Sequence, residues 1–117
     1  MLNAIAGHLE RYMDLLASRQ KLVASNIANA ATPGYRTKDI DFQFEFLSAV
    51  DGGGTQPPQP NVIEAPGLKT KNDGNNVGLD RESRLLAENA IRFNVAASLW
   101  KVQARMVRSA IQEAKNG

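Results

Sequence analysis

The stretch LDRESRLLAENAIRFNVAASLWKVQARMVRSAIQEA, residues 79–114, repeats its apolar residues at heptad spacing. Leu79, Leu86, Phe93, Trp100, Val107 and Ala114 stand seven apart, with Ala90, Ala97, Ala104 and Ile111 on the neighbouring line. That period predicts one long amphipathic helix, with Asp80 as its N-cap and Asn116-Gly117 as its end signal. At about 100° per residue, Leu86, Phe93, Trp100 and Val107 fall within about 40° of one direction, whereas Ile91, Val95, Val102 and Met106 gather about 180° away. A helix apolar on two opposite sides requires two neighbours.

Working outward, the chain offers one other long helix. Leu2, Leu9, Leu16, Val23 and Ala30 share a heptad line, with Ile5 and Tyr12 on its companion. The companion line fails at Arg19 and Asn26, so register or partner choice is expected to be set there. Thr32 precedes Pro33 and is biased away from the α region, and Pro33-Gly34 suits the centre of a type II turn, so the helix is expected to stop near Ala31. The expected fold is mainly α: long N- and C-terminal helices paired as an antiparallel coiled-coil-like hairpin, spanning 1–31 and 79–117, around an irregular middle segment, 32–78. Leu9, Leu16 and Val23 should form the intramolecular seam with Leu86, Phe93, Trp100 and Val107. Either a folded-back middle segment or another molecule must then cover Ile91, Val95, Val102 and Met106, and the low apolar content of residues 51–76 favours another molecule.

The middle segment holds all five prolines, the run Gly52-Gly53-Gly54 and the turn-forming Asn72-Asp73-Gly74-Asn75-Asn76, so it cannot be one continuous helix. Ile40, Phe42, Phe44 and Phe46 alternate with Asp39, Asp41, Gln43 and Glu45, which suggests a short strand. A short helix competes with it, capped by Asp41 and with Phe42, Phe46 and Val50 on one face. Residues 51–61, dominated by Gly and Pro, read as a mobile loop.

Composition narrows the function by exclusion. At 117 residues there is room for one small domain, and 14 basic against 12 acidic residues leave a net charge of +2, too weak to argue for nucleic acid or a membrane surface. With no cysteine and a single histidine, His8, on the flank of the helical stripe, no disulfide framework, zinc site or nucleophilic constellation can be assembled, so an enzyme is not expected. The N-terminus lacks the basic start and apolar core of a cleaved secretory signal, and no apolar run approaches the roughly 20 residues of a membrane span.

Local motifs reduce to ordinary roles. The turn from Asp73 resembles a calcium loop until Val77 and Arg84 stand where oxygen ligands are required. Asp39, Asp41 and Glu45 read as the polar half of an alternating pattern rather than as a metal cluster, and the prolines of 57–60 as a spacer. Arg81, Arg84, Arg92, Lys101, Arg105 and Arg108 read as a solvated or interface-rim face, because Phe93 and Trp100 lie on the seam rather than between the charges.

The run Ala24-Ser25-Asn26-Ile27-Ala28-Asn29-Ala30-Ala31-Thr32-Pro33-Gly34-Tyr35 resembles the signature of flagellar axial proteins of the rod, hook and hook junction. Ser25, Asn26, Ile27, Asn29, Thr32, Pro33, Gly34 and Tyr35 carry it. Arg36-Thr37-Lys38-Asp39-Ile40-Asp41-Phe42 and a second hallmark, with Asp73, Gly74, Asn75, Asn76, Asp80 and Glu82, are similar to one proximal-rod subfamily. Gly78 stands where an acidic residue is commoner.

The resemblance implies a structural rod subunit, exported unfolded through the flagellar type III apparatus without a cleaved signal, that polymerises in the periplasm through its terminal helices into a hollow shaft. It implies as partners other copies of itself, other proximal-rod subunits and the basal adaptor FliE, with no cofactor and no membrane insertion. Two alternatives stand beside it: a rod subunit of the FlgC type, which shares residues 26–35 but not 73–82, and a soluble helical adaptor or export chaperone.

Overall fold

A computed structural model describes residues 2–51 and 59–116. Most of the expected loop 51–61 therefore lies outside the described residues. Along the chain come α1 (Leu2–Ala28), β1 (Lys38–Asp39), α2 (Phe42–Asp51), β2 (Ile63–Glu64) and α3 (Leu79–Asn116). The long helices α1 and α3 lie antiparallel, in a molecule measuring 70 × 26 × 17 Å. The mainly helical hairpin expected from the heptads is the observed fold.

The helix ends differ from the sequence reading in instructive ways. Helix α1 stops at Ala28 rather than Ala31, because the Asn29 side-chain amide donates to Ser25 O (2.9 Å) and the backbone beyond tightens into successive turns, Ala30 N to Ile27 O and Thr32 N to Asn29 O. Thr32 O accepts from Tyr35 N (3.2 Å) and Gly34 has φ 76°, which closes the turn at Pro33-Gly34. Helix α3 starts with Gly78, not Asp80, at the N-cap, since Glu82 N donates to Gly78 O at 3.0 Å. Asp80 and Glu82 instead sit in the first turn, where they complement the positive end of the helix dipole.

Of the two readings of residues 40–46, the helix prevails from Phe42. Asp41 caps it, Oδ1 accepting from Phe44 N (3.1 Å) and its carbonyl from Glu45 N (2.9 Å). Phe42 and Phe46 set their rings against Tyr12 of α1, nearly perpendicular, with centroids 5.4 and 5.6 Å away. The alternation with Ile40 breaks there, and the only strand pairing among the described residues is Lys38 with Glu64 and Asp39 with Ile63, antiparallel. Among the described residues α2 lies against α1 and does not reach α3.

The core is thin. Leu15, Leu16, Val23, Ile40, Ala65, Val77, Leu85 and Ala96 are buried, and Asn26, Thr37, Asp39, Glu45, Asn75, Asn76, Glu82 and Asn89 are buried with them. Large apolar side chains contribute roughly 1.5 to 3 kcal/mol each when removed from water. With so few of them, a matching set of buried polar groups must be fully hydrogen-bonded for the fold to persist.

Candidate functional site: a buried polar knot and an uncovered helix face

Where α1 ends and α3 begins, the signature residues converge. Asn26, fully buried, uses its whole side-chain amide: Nδ2 donates to Lys38 O (2.8 Å) and to Glu82 Oε1, and Oδ1 accepts from Lys38 N (3.0 Å) and the Tyr35 hydroxyl (3.1 Å). One side chain thus ties α1, β1 and α3 together. The Ser25 hydroxyl lies 3.2 Å from the Tyr35 hydroxyl. Because the latter donates to Asn26, Ser25 is the donor between them.

A second set of bonds closes the knot from the 73–78 turn. Asn75, fully buried, donates to Asn29 O (2.9 Å) and Thr32 O (2.8 Å), covering the frayed end of α1. Asn76 Oδ1 accepts from Thr37 N (2.6 Å), and Thr37 Oγ1 donates to Asn76 O (3.1 Å). Asp73 Oδ1 accepts from Asn75 N, and Asn75 Oδ1 from Val77 N, two successive Asx turns. Gly74 (φ 86°) approaches Gly34 so closely that a Cβ on it would sit 3.3 Å from the Gly34 Cα. Gly74 is therefore favoured both by the meeting of two turns and by its positive φ, and Gly34 by its positive φ alone.

Charge adds a third layer. The Arg19 guanidinium grips Asp39 with two parallel bonds (3.0 and 2.9 Å), and Arg81 bridges Asp39 to Glu82. Burial alone would raise the Asp39 carboxyl, but the hydrogen bonds from Arg19, from the Ile40 amide and from Arg81 outweigh it and hold it below the usual carboxylate range. Burial likewise works against the Arg81 charge, and the Glu82 and Asp39 carboxylates overcome it, moving Arg81 further above its ordinary range. Asp39 is thus a paired anion rather than the solvated half of a polar face, and Glu45 is buried too, accepting from Asn61 N at 3.0 Å. Among the described residues no group of carboxylates and imidazoles is arranged to hold a metal ion.

The remaining residues singled out from the sequence divide between the helix interface and the surface. Leu16 and Val23 are buried and Leu9 is half-buried, as are Trp100 and Val107, whereas Leu86 and Phe93 are each 40% exposed. The line that α3 buries runs instead through Glu82, Leu85, Asn89 and Ala96. Small Ala96 and the polar pair Asn89–Gln20 (3.1 Å) let the helices approach there, which turns Phe93 to the flank. It lines an open groove of about 450 Å³ with Leu16, Ala17, Ala24 and Ala90. On the other flank Ile91, Val95, Val102 and Met106 are 65, 55, 42 and 49% exposed. Ile27 is half-buried, and Pro33 and His8 lie on the surface.

Sequence reasoning missed Arg19, Thr37, Asp39 and Arg81 as members of one cluster. Arg19 carried the available signal, since it interrupts an apolar line at a position that faces the protein.

A slender two-helix hairpin, locked at one end by signature side chains and bare along one helix face, is the architecture of a building block rather than of a catalyst. Residues 13–36, which carry Arg19, Asn26 and Tyr35, match the family described as flagella basal body rod protein. The chain is 30% identical to the flagellar basal body rod protein FlgB of Escherichia coli (strain K12), over 95% of this chain and 95% of that one. It is 31% identical to the FlgB of Cereibacter sphaeroides, over 84% of this chain and 86% of the relative, and 29% to that of Yersinia enterocolitica, over 97% and 99%. These relations place the chain in the class of flagellar rod proteins, structural and not enzymatic. Within that class it belongs to the FlgB family.

Proposed function

We propose that this flagellar basal body rod component polymerises through its terminal helices into the proximal part of a hollow shaft that serves motility. One observation carries the reading: α3 keeps Ile91, Val95, Val102 and Met106 in contact with water, and neither α1 nor α2 covers them. A contiguous apolar row of this kind is uncommon on a soluble monomer and marks an interaction surface. Between two different faces the contact is heterologous and open-ended, which builds tubes rather than closed dimers. The neighbours on this reading are further copies of the chain, other proximal-rod subunits and the adaptor FliE, reached in the periplasm after type III export. Among the described residues no helix is long and apolar enough to cross a membrane, in keeping with a subunit that passes through an export channel.

The test separates folding from assembly. Val95→Asp or Val102→Asp adds a charge to a site already in water, so the subunit is expected to fold and be exported at normal levels while rod assembly fails. Cells carrying either variant that swim as well as the parent overturn the reading.

A further inference from the structure

The heptad lines of α1 and α3 do not by themselves choose an axial register. Hydrogen bonds Asn26–Glu82, Gln20–Asn89 and Glu10–Trp100 (3.1 Å for each of the last two) set Leu9 about level with Trp100, Leu16 with Phe93 and Val23 with Leu86. Sliding α3 by one heptad would set Leu9 level with Val107, Leu16 with Trp100 and Val23 with Phe93. Every pair on these heptad lines is still apolar, because both lines repeat with the same period, although Arg92 would then take the place of buried Leu85 and Gln103 that of Ala96.

We infer that the polar knot is a register clasp, selecting one of the alignments of the two helices that their heptad lines permit. In the slipped alignment Gln20 faces Ala96 and Asn26 faces the turn of Ala90, so buried Asn89 and half-buried Gln20 lose each other while Glu82 leaves Asn26. Each orphaned group opposes the slip. Unlike a single polar residue inside a coiled coil, the clasp also engages the backbone of the middle segment through Lys38, so register is fixed relative to β1 as well as between the helices. The inference rests on the pairing of α1 with α3 within one chain and is independent of the assembly reading.

The chain has no cysteine, which makes engineered thiols unambiguous reporters. Glu10→Cys with Trp100→Cys reports the observed register, and Glu10→Cys with Val107→Cys the slipped one. Both are oxidised at high dilution and read as intramolecular bonds by mass of the monomer. In the otherwise unaltered chain the first pair is expected to close at least tenfold faster than the second. Adding Asn26→Leu and Glu82→Leu should bring the two rates within about twofold, with the helical circular dichroism retained. Comparable rates in the chain with an intact knot, or an unchanged tenfold preference in the helical double-leucine chain, overturn the clasp. If the double-leucine chain loses its helices, Asn26→Ala alone serves, with at least a threefold rise in the relative yield of the slipped bond expected and an unchanged ratio overturning the inference.

Discussion

At the scale of single residues, the knot shows how a small domain replaces apolar volume by saturated polar groups. Asp39 is the most exacting case, since it meets two guanidiniums and the Ile40 amide while almost out of water. Asp39→Asn removes the charge and leaves Arg19 and Arg81 facing each other, an expected cost of about 2 to 3 kcal/mol at neutral pH by denaturant unfolding. The pH dependence has a definite sign. Because the folded carboxyl lies below its ordinary range, its contribution is complete above about pH 4 and disappears as pH falls below that. The stability gap between the parent chain and Asp39→Asn should therefore be flat from pH 7 to about pH 5 and shrink in stronger acid. Legibility at this scale was uneven. The roles of Pro33 and Gly34 followed from backbone chemistry, but a carboxylate at position 39 looks the same in sequence whether solvent or two arginines surround it. Long-range partners such as Arg81 carry no local signal.

At the scale of elements, α1 and α3 were legible because their apolar period runs through many turns, and a long signal survives a few polar interruptions. Helix α2 was ambiguous for the opposite reason. Its ten residues include Phe42, Phe44 and Phe46, a run that satisfies a period of two, yet Phe44 and Leu47 end 59 and 50% exposed, and only the face with Phe42 and Phe46 meets Tyr12. The Asp41 cap and that aromatic contact decide the element. Asp41→Ala should weaken α2 by about 1 kcal/mol and loosen the aromatic cluster, read as increased amide exchange confined to residues 42–51. The buried face of α3 was displaced from the expected line for a similar reason. Apolar periodicity locates an arc, and within that arc the small Ala96 and the hydrogen-bonding Asn89, rather than the bulkier Phe93, allow the closest approach of α1.

For the whole molecule, the distribution of burial predicts a gradient of stability. Glu82, Leu85, Asn89 and Ala96 are buried, whereas residues 108–116 are all exposed. Native-state hydrogen exchange on the isolated chain should show the strongest protection in α3 over residues 85–96 and a steady decline towards 116. Equal protection along α3 would mean that the far half is covered already in the monomer. Family membership was readable from motifs because they concentrate in the knot, and the row from Ile91 to Met106 was readable as a second apolar face from its helical spacing, whereas how far each of its side chains stands in water is a property of what fails to pack.

The close approach of Gly34 and Gly74 links two stretches of sequence forty residues apart into a single heritable unit. A side chain at position 74 must find room where Gly34 already stands in a backbone conformation that disfavours replacement. Replacement at position 74 is thus opposed by Gly34 and by its own positive φ, and replacement at position 34 by its positive φ. Substitutions should be rarer at these two points than along the solvated end of α3 beyond residue 108, so that the lineage of such a chain is written in its turns more durably than in the tip of its last helix.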